Sequence, residues 1–307
     1  MRKISEGKRM WVCVMAIFLV YAVIFILFED YDKHFVRPFN EVSDWHLLTF
    51  SIVVMLLLGL LLYRYARRMD ERISREQLTK QNKMRRELTQ NIAHELKTPV
   101  ASILGYTDTI LDNPDITNET RMQFVVRTNA QARRLTALLQ DISTLNRMDY
   151  ATEVLTMERV DISALMADIV EETALAVEYK QMRLNNCLPE DVCIQGNWSL
   201  IYSIFRNLVD NAVNYAGEKT TIEVSAEDKG SYWAFTFRDN GIGVPEEHLS
   251  RIFERFYRID KSRSRALGGT GLGLAIVKNA VQLHGGQISV INLNGAGLCF
   301  TFTLKKY

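Results

Sequence analysis

The sequence predicts a chain in three parts: two transmembrane helices, a helical hairpin that completes a four-helix bundle as a dimer, and an α/β sandwich. Three observations predict it. Two apolar runs near the start carry no charge. The stretch that follows, to about residue 147, is rich in Arg, Glu, Gln, Lys and Leu and carries leucines at helical spacing. From about residue 150, strand-like and helix-like segments mix.

The apolar runs are "WVCVMAIFLVYAVIFILF" at 11–28 and "LLTFSIVVMLLLGLLLY" at 47–63. Each is close to the length of about 20 residues that crosses a bilayer. A buried core helix is the alternative for either alone, but two such runs flanking one short polar segment favour a membrane hairpin. No small-residue cleavage site follows the first run, so it reads as an anchor rather than a signal peptide. Arg2, Lys3, Lys8 and Arg9 lie in the N-terminal segment 1–10, and Arg64, Arg67, Arg68 and Arg72 follow the second run. By the positive-inside rule both termini are cytoplasmic. The loop between, 29–46, is acidic and far too short for a folded domain. Membrane lipid is therefore an expected partner.

Residues 64–112 read as one helix with no glycine after residue 63 until Gly105. "LDNPDITNET" breaks it: Pro114 stops the first helix, and Thr117 is placed to cap a second over about 118–147. Leu135, Leu138, Ile142 and Leu145 alternate three and four residues apart, the seam of a coiled-coil-like bundle. One hairpin has too little core of its own, so dimerisation is expected. These signals divide the region into a linker helix, 64–87, and a dimerisation domain, 88–149.

In the remaining domain, 150–307, "VDISALMADIVEETALAVEYK" is an amphipathic helix with Leu165, Ile169 and Val170 inward. "LIYSIFRNLVDNAVNYA" is a second, "YWAFTFRD" alternates like a strand, and "GLGLAIVKNAVQLHGG" is a third helix closed by glycines. "GQISVINLN" and "GLCFTFTL" form a closing hairpin. A helical layer on a mixed sheet follows.

Composition excludes some functions. With 37 basic and 36 acidic residues the net charge is +1, and no global field points to nucleic acid. Cys13, Cys187, Cys193 and Cys299 show no CxxC spacing, which fits a reduced compartment. The five histidines contain no i,i+4 pair of the kind that holds a metal.

Four local signals carry chemistry. "NIAHELKTPV" at 91–100 places His94, Glu95 and Thr98 on a helix, with Pro99 five residues past the histidine. Asn207, Asn211 and Asn214, at i, i+4 and i+7, form one stripe, and carboxamide oxygens suit Mg²⁺, which binds through few protein groups and substrate phosphates. "DNGIG" at 239–243 ends a strand: Asp239 suits the amino group of adenine, and Gly241 and Gly243 permit close backbone approach. "GGTGLGL" at 268–274 opens a helix whose free N–H groups suit phosphate. It is not a P-loop, because no Gly-Lys-Ser/Thr follows. Taken singly, the first three have bland alternatives, a surface histidine, a solvated polar stripe and an ordinary turn, and a glycine-rich loop by itself is weak evidence. The basic segment "RIFERFYRIDKSRSRALGG" lies between the last two and suits a lid, with a solvated basic loop as the alternative.

In this order, the motifs of 88–307 resemble those of bacterial sensor histidine kinases with a dimerising phosphotransfer domain and a Bergerat-type ATPase domain. "HELKTP" is similar to the phosphoacceptor box and "NLVDNAVNY" to the asparagine box. "DNGIG", "FERFY" and "GGTGLGL" are similar to the first glycine, phenylalanine and second glycine boxes. The membrane part matches the family only in plan. The resemblance implies that His94 attacks the γ-phosphorus of ATP, that Glu95 orients or accepts the imidazole proton, and that Asn211 holds Mg²⁺. It implies nucleotide contacts at Asn207, Tyr215, Asp239, Gly241, Gly243, Gly269, Gly271 and Gly273. Asn214 stands where the family usually has a basic residue, so the phosphate contact is expected from Arg255 or Arg258.

Transfer to the aspartate of a separate response regulator is implied as well, since no receiver domain follows Tyr307, within a homodimer in the bacterial cytoplasmic membrane. Thr98 is implied in regulator dephosphorylation; a hydroxyl bonding back to the carbonyl of His94 is the alternative. Two other readings stay open, a protein acting mainly as phosphatase and a nucleotide-binding scaffold without turnover, although intact His94, Glu95, Asn211 and Asp239 argue against the scaffold.

Overall fold

The computed structural model describes residues 19–20, 22–31, 34, 44–150, 156–260, 269–293 and 297–307. The N-terminal segment, residues 11–18 and 21 of the expected first span, and the basic stretch 261–268 lie outside them. The chain divides into two units, Met1–Glu87 and Leu88–Tyr307.

In the first unit residues 22–31 are helical, and helix α1 (Asp44–Asp112) begins. Phe28 stacks on Phe50 with ring centroids 4.5 Å apart. Among the described residues one segment, Thr49–Thr79, is long and apolar enough to cross a membrane, with mean hydropathy 1.8. Leu56, Leu57, Leu60 and Leu61 on it are all exposed. The expected second span, 47–63, overlaps this segment; the first falls largely on residues outside the described set.

The second unit opens with a helical hairpin made by the end of α1 and by α2 (Asn118–Tyr150), three residues longer than the sequence pattern implied. The turn carries the expected chemistry: Asp112 ends α1, and the Thr117 hydroxyl accepts the Thr120 N–H at 3.2 Å. Pro99 lies buried inside α1 without ending it. Tyr106 and Phe124 stack across the hairpin at 5.7 Å. Of the predicted seam, Leu138 and Leu145 are buried, whereas Leu135 and Ile142 are only half covered.

The remainder is an α/β sandwich. Strands β1 (Glu158–Asp161) and β3 (Cys193–Gly196) pair as a short antiparallel ladder. The main sheet is ordered β2 (Arg183–Cys187), β4 (Thr221–Asp228), β5 (Tyr232–Asp239), β7 (Leu298–Lys305) and β6 (Ile288–Asn292). β2 and β4 run parallel and the other pairs antiparallel, which gives the mixed sheet expected. Helices α3 (Ile162–Tyr179), α4 (Trp198–Tyr215) and α6 (Gly273–Leu283) supply the helical layer, with the single turn α5 (Glu246–Leu249) before the phenylalanine-box loop.

Alternation in β5 and β7 points Phe235, Phe237, Phe300 and Phe302 inward, all at most 2% exposed. Phe205 of α4 meets Phe235 and Phe302 edge-on at 5.4 and 5.6 Å. Each fully buried Phe contributes roughly 1.5–3 kcal/mol over an exposed one. This wedge fixes α4, and with it the asparagine stripe, on the sheet. On α3 the inward set is Ile162, Leu165, Met166 and Ile169; Val170, expected inward, is half exposed because it sits at the edge of that stripe.

His284, buried at the end of α6, ties the two site helices together. Its Nε2 accepts the Asn197 N–H at the start of α4 (3.0 Å), and its Nδ1 donates to the Ala280 carbonyl (2.7 Å). Burial pushes its pKa below the ordinary histidine value. Because the folded pKa lies below the unfolded one, the stabilisation is complete above about pH 6.5 and is lost as pH falls toward the folded pKa. Unfolding free energy is therefore expected to fall with pH in that window by up to about 1.4 kcal/mol per unit, the slope for one proton. Denaturant titrations of wild type and His284→Gln between pH 5 and 7.5 check this; an equal slope in both proteins would contradict it.

Candidate active site

A cavity of about 730 Å³ lies against the exposed faces of α4 and the start of α6. Its lining brings together Asn207, Asn211, Asn214, Tyr215, Asp239, Gly243, Arg258, Gly269, Gly271 and Gly273, residues that three separate motifs and the basic segment between two of them singled out. Ala137, Gln140, Asp141 and Thr144 of α2 close one side, so the hairpin also forms a wall.

At the sheet end, Asp239 is 4% exposed. Its Oδ1 accepts N–H groups from Gly241 (2.9 Å) and Leu298 (3.4 Å). Burial pushes its pKa above the ordinary carboxylate value, while the two N–H bonds oppose that. Gly241 does not line the cavity but is required beside it: a Cβ there would come within 2.4 Å of the Ala216 carbonyl oxygen. Gly243 has φ +67°, and a Cβ would meet Asn292 Oδ1 at 2.9 Å.

At the helix end, Asn207 donates Nδ2–H to the Ser203 carbonyl at 2.7 Å. That fixes its carboxamide so that Oδ1 would stand 2.5 Å from a Cβ on Gly273, the reason a glycine opens α6. Asn211 lies one turn further on α4, half-buried, on the cavity wall. The Gly-rich loop turns at Gly271 (φ +75°) against Phe256, itself at φ +63°, whose N–H donates to the Gly271 carbonyl at 2.8 Å. The phenylalanine box and the second glycine box thus interlock.

Arg258 is the expected phosphate-contacting group that reaches the cavity; Arg255 is partly buried and does not line it. The Arg258 side chain is 4% exposed and donates to the Thr270 carbonyl (2.6 Å) and to Glu95 Oε2 (3.1 Å). Its Nε is buried with no hydrogen-bond partner among the described residues. Arg134 of α2 donates to the same Glu95 oxygen at 3.2 Å. Glu95, expected on its neighbour's imidazole, is thus held between two guanidinium groups. The Thr270 hydroxyl donates to Asp141 at 2.6 Å. Burial raises the pKa of Asp141, with nearby Asp210 adding to the rise.

His94 itself is exposed on α1. The Thr98 hydroxyl lies 3.4 Å from the His94 carbonyl, the long back-bond weighed above. Sequence reasoning missed Arg134, Asp141 and Thr270 as site residues, and it missed a network in which Tyr202 and Arg206 both meet Glu172 while Arg206 also holds Asp210. Only the Arg206–Asp210 pair, at i,i+4, left a local signal.

The donor set fits a magnesium nucleotide. A buried carboxylate suits an exocyclic amine, a carboxamide suits a hard cation that keeps its waters, and backbone N–H groups at the start of an eleven-residue helix suit phosphate.

Comparison with known proteins identifies the domains. Residues 84–151 match the His Kinase A (phospho-acceptor) domain, and residues 196–307 match the histidine kinase-, DNA gyrase B-, and HSP90-like ATPase family. The chain belongs to the bacterial two-component sensor histidine kinases. It is similar to the sensor-like histidine kinase SenX3 of Mycolicibacterium smegmatis, 32% identical over 223 residues that cover 73% of this chain and 58% of SenX3. It is similar also to the sensor histidine kinase WalK of Bacillus subtilis, 31% identical over 232 residues covering 74% of this chain and 38% of WalK. The crystal structure of full-length ShkA in complex with AMPPNP superposes with TM-score 0.53 at 26% identity, covering 70% of this chain and 45% of ShkA. The chain spans from 38% to 58% of the length of the two sequence relatives.

Proposed function

We propose that this protein is an ATP-dependent histidine autokinase that passes its phosphoryl group to an aspartate of a separate response regulator. The observation that carries the reading is the convergence of Asp239, the α4 asparagines and the Gly269–Gly273 loop on one cavity. An imidazole nitrogen of His94 forms the new bond to the γ-phosphorus as the bond to the β,γ-bridging oxygen breaks, and ADP leaves. Glu95 accepts or orients the proton on the other ring nitrogen. Asn211 would hold Mg²⁺, which when bound neutralises charge on the phosphates. Asp239 sets adenine, and Arg258, bonded to the Thr270 carbonyl, stands at the Gly-rich loop. AMPPNP in ShkA is consistent with the same class of ligand.

Two copies complete the bundle. Val100, Leu104, Leu111, Met122, Val125, Val126 and Leu139 are exposed on the hairpin, an apolar surface that a second hairpin would cover. The apolar runs at 11–28 and 47–63 anchor the protein as a two-span protein of the cytoplasmic membrane with both termini inside. Thr98 serves a second activity, dephosphorylation of the regulator, its hydroxyl turning from its weak back-bond to hold the attacking water.

The full chain in lipid nanodiscs, incubated with Mg²⁺ and γ-labelled ATP, tests this. Acid-labile, base-stable label is expected on the chain and then on a purified cognate receiver, whose phosphoryl lifetime wild type shortens and Thr98→Ala does not. A chain that binds ATP but takes no label would sink the autokinase reading, and equal shortening by both proteins would remove the role of Thr98.

A further inference from the structure

The groups that the catalytic domain offers to phosphate are engaged by carboxylates of the hairpin. Arg258 meets Glu95 at 3.1 Å, and the Thr270 hydroxyl, in the Gly-rich loop, meets Asp141 at 2.6 Å. Both acceptors are anionic oxygens arriving from outside the catalytic domain, one from each hairpin helix. Asp141 also lines the cavity. A phosphate oxygen is the same kind of acceptor: hard, anionic and suited to a guanidinium or a hydroxyl. The fit to the carboxylates is incomplete, because the Arg258 Nε–H remains buried without a partner among the described residues. A group with more oxygens than one carboxylate edge can supply would satisfy it.

We propose that Glu95 and Asp141 act as built-in stand-ins for the terminal phosphates of the nucleotide, so that hairpin docking and triphosphate binding compete for Arg258 and Thr270. This rests on the nucleotide-site reading above. In the docked state both the Glu95 carboxylate and Arg258 are occupied with each other, and neither serves the reaction at His94. A triphosphate that takes Arg258 frees Glu95 in the same event, which couples occupancy of the cavity to release of the proton acceptor beside His94. Adenosine, which lacks phosphates, fills the Asp239 end and leaves the latch closed. Arg134 keeps Glu95 in place throughout, since its ion pair at 3.2 Å lies within the hairpin.

The test measures binding of AMPPNP with Mg²⁺ and of adenosine to the full chain in nanodiscs, for wild type, Asp141→Ala and Glu95→Gln. Competition predicts that each variant binds AMPPNP about three- to tenfold more tightly, because a competent state once partly closed becomes dominant. Adenosine affinity is expected to stay unchanged. Unchanged or weaker AMPPNP binding in both variants would overturn the proposal, as would equal tightening of adenosine, which marks a loosened hairpin rather than phosphate competition. If wild type binds neither ligand, the nucleotide-site reading itself fails, an outcome distinct from these.

Discussion

His94→Gln is expected to lose all detectable autophosphorylation while AMPPNP affinity stays within about twofold of wild type. Three facts support the separation. His94 is exposed on α1, so its replacement leaves no cavity and no stranded partner in the core. Glutamine is a good helix former, so the helix is retained. The residues of the nucleotide cavity lie on α2, α4, the start of α6, the strand ends and the loops between them, and His94 is not among them. A glutamine amide nitrogen has its lone pair delocalised into the carbonyl and does not attack phosphorus as an imidazole nitrogen does. The assay is labelling by γ-labelled ATP followed by acid and base treatment, with AMPPNP titration alongside. Acid-labile, base-stable label persisting in His94→Gln would place the phosphoacceptor elsewhere. Equal loss of AMPPNP binding would show that His94 itself is needed for the nucleotide cavity.

How much of this site was legible beforehand follows from the reach of each interaction. The asparagine stripe needed only helical periodicity, and Asp239 and the glycines needed only the end of a strand and the start of a helix. Each motif lies within a few residues of sequence, so spacing carries it. The contacts that join the hairpin to the cavity do not. Arg134 and Arg258 converge on one oxygen of Glu95 from 39 and 163 residues away, and Thr270 reaches Asp141 across 129. No periodicity encodes such pairings. Asp141 lies next to seam residue Ile142 and reads from sequence as a solvated helix position; docking alone gives it a partner and a raised pKa. The same limit explains the fold. β5 and the closing hairpin alternate clearly, whereas β2 (RLNNC) is a polar edge strand with little burial, and only pairing with β4 defines it.

Asp239→Asn is expected to weaken ATP binding by about 1–3 kcal/mol, roughly five- to 150-fold, with little change in the stability of the nucleotide-free protein. The asymmetry comes from the two sides of the carboxylate. Oδ1 accepts the Gly241 and Leu298 N–H groups, and an asparagine carbonyl oxygen in the same place still accepts both, more weakly than a carboxylate. The fold loses little, and it sheds the burial cost that pushes the Asp239 pKa up. With its oxygen committed there, the asparagine NH₂ must occupy the other position, facing the cavity. An adenine amino group arriving at that point meets a donor instead of an acceptor, at a position only 4% exposed. The desolvated donors on both partners then go unpaired. Guanine presents a carbonyl oxygen at the same position, so the substitution should also narrow the preference for ATP over GTP, which a loss of packing would not do. Calorimetric titration of wild type and Asp239→Asn with both nucleotides decides it. Wild-type ATP affinity in the variant would remove Asp239 from the adenine contact, and weakening of ATP and GTP by the same factor would assign it a structural role at the end of β5 instead.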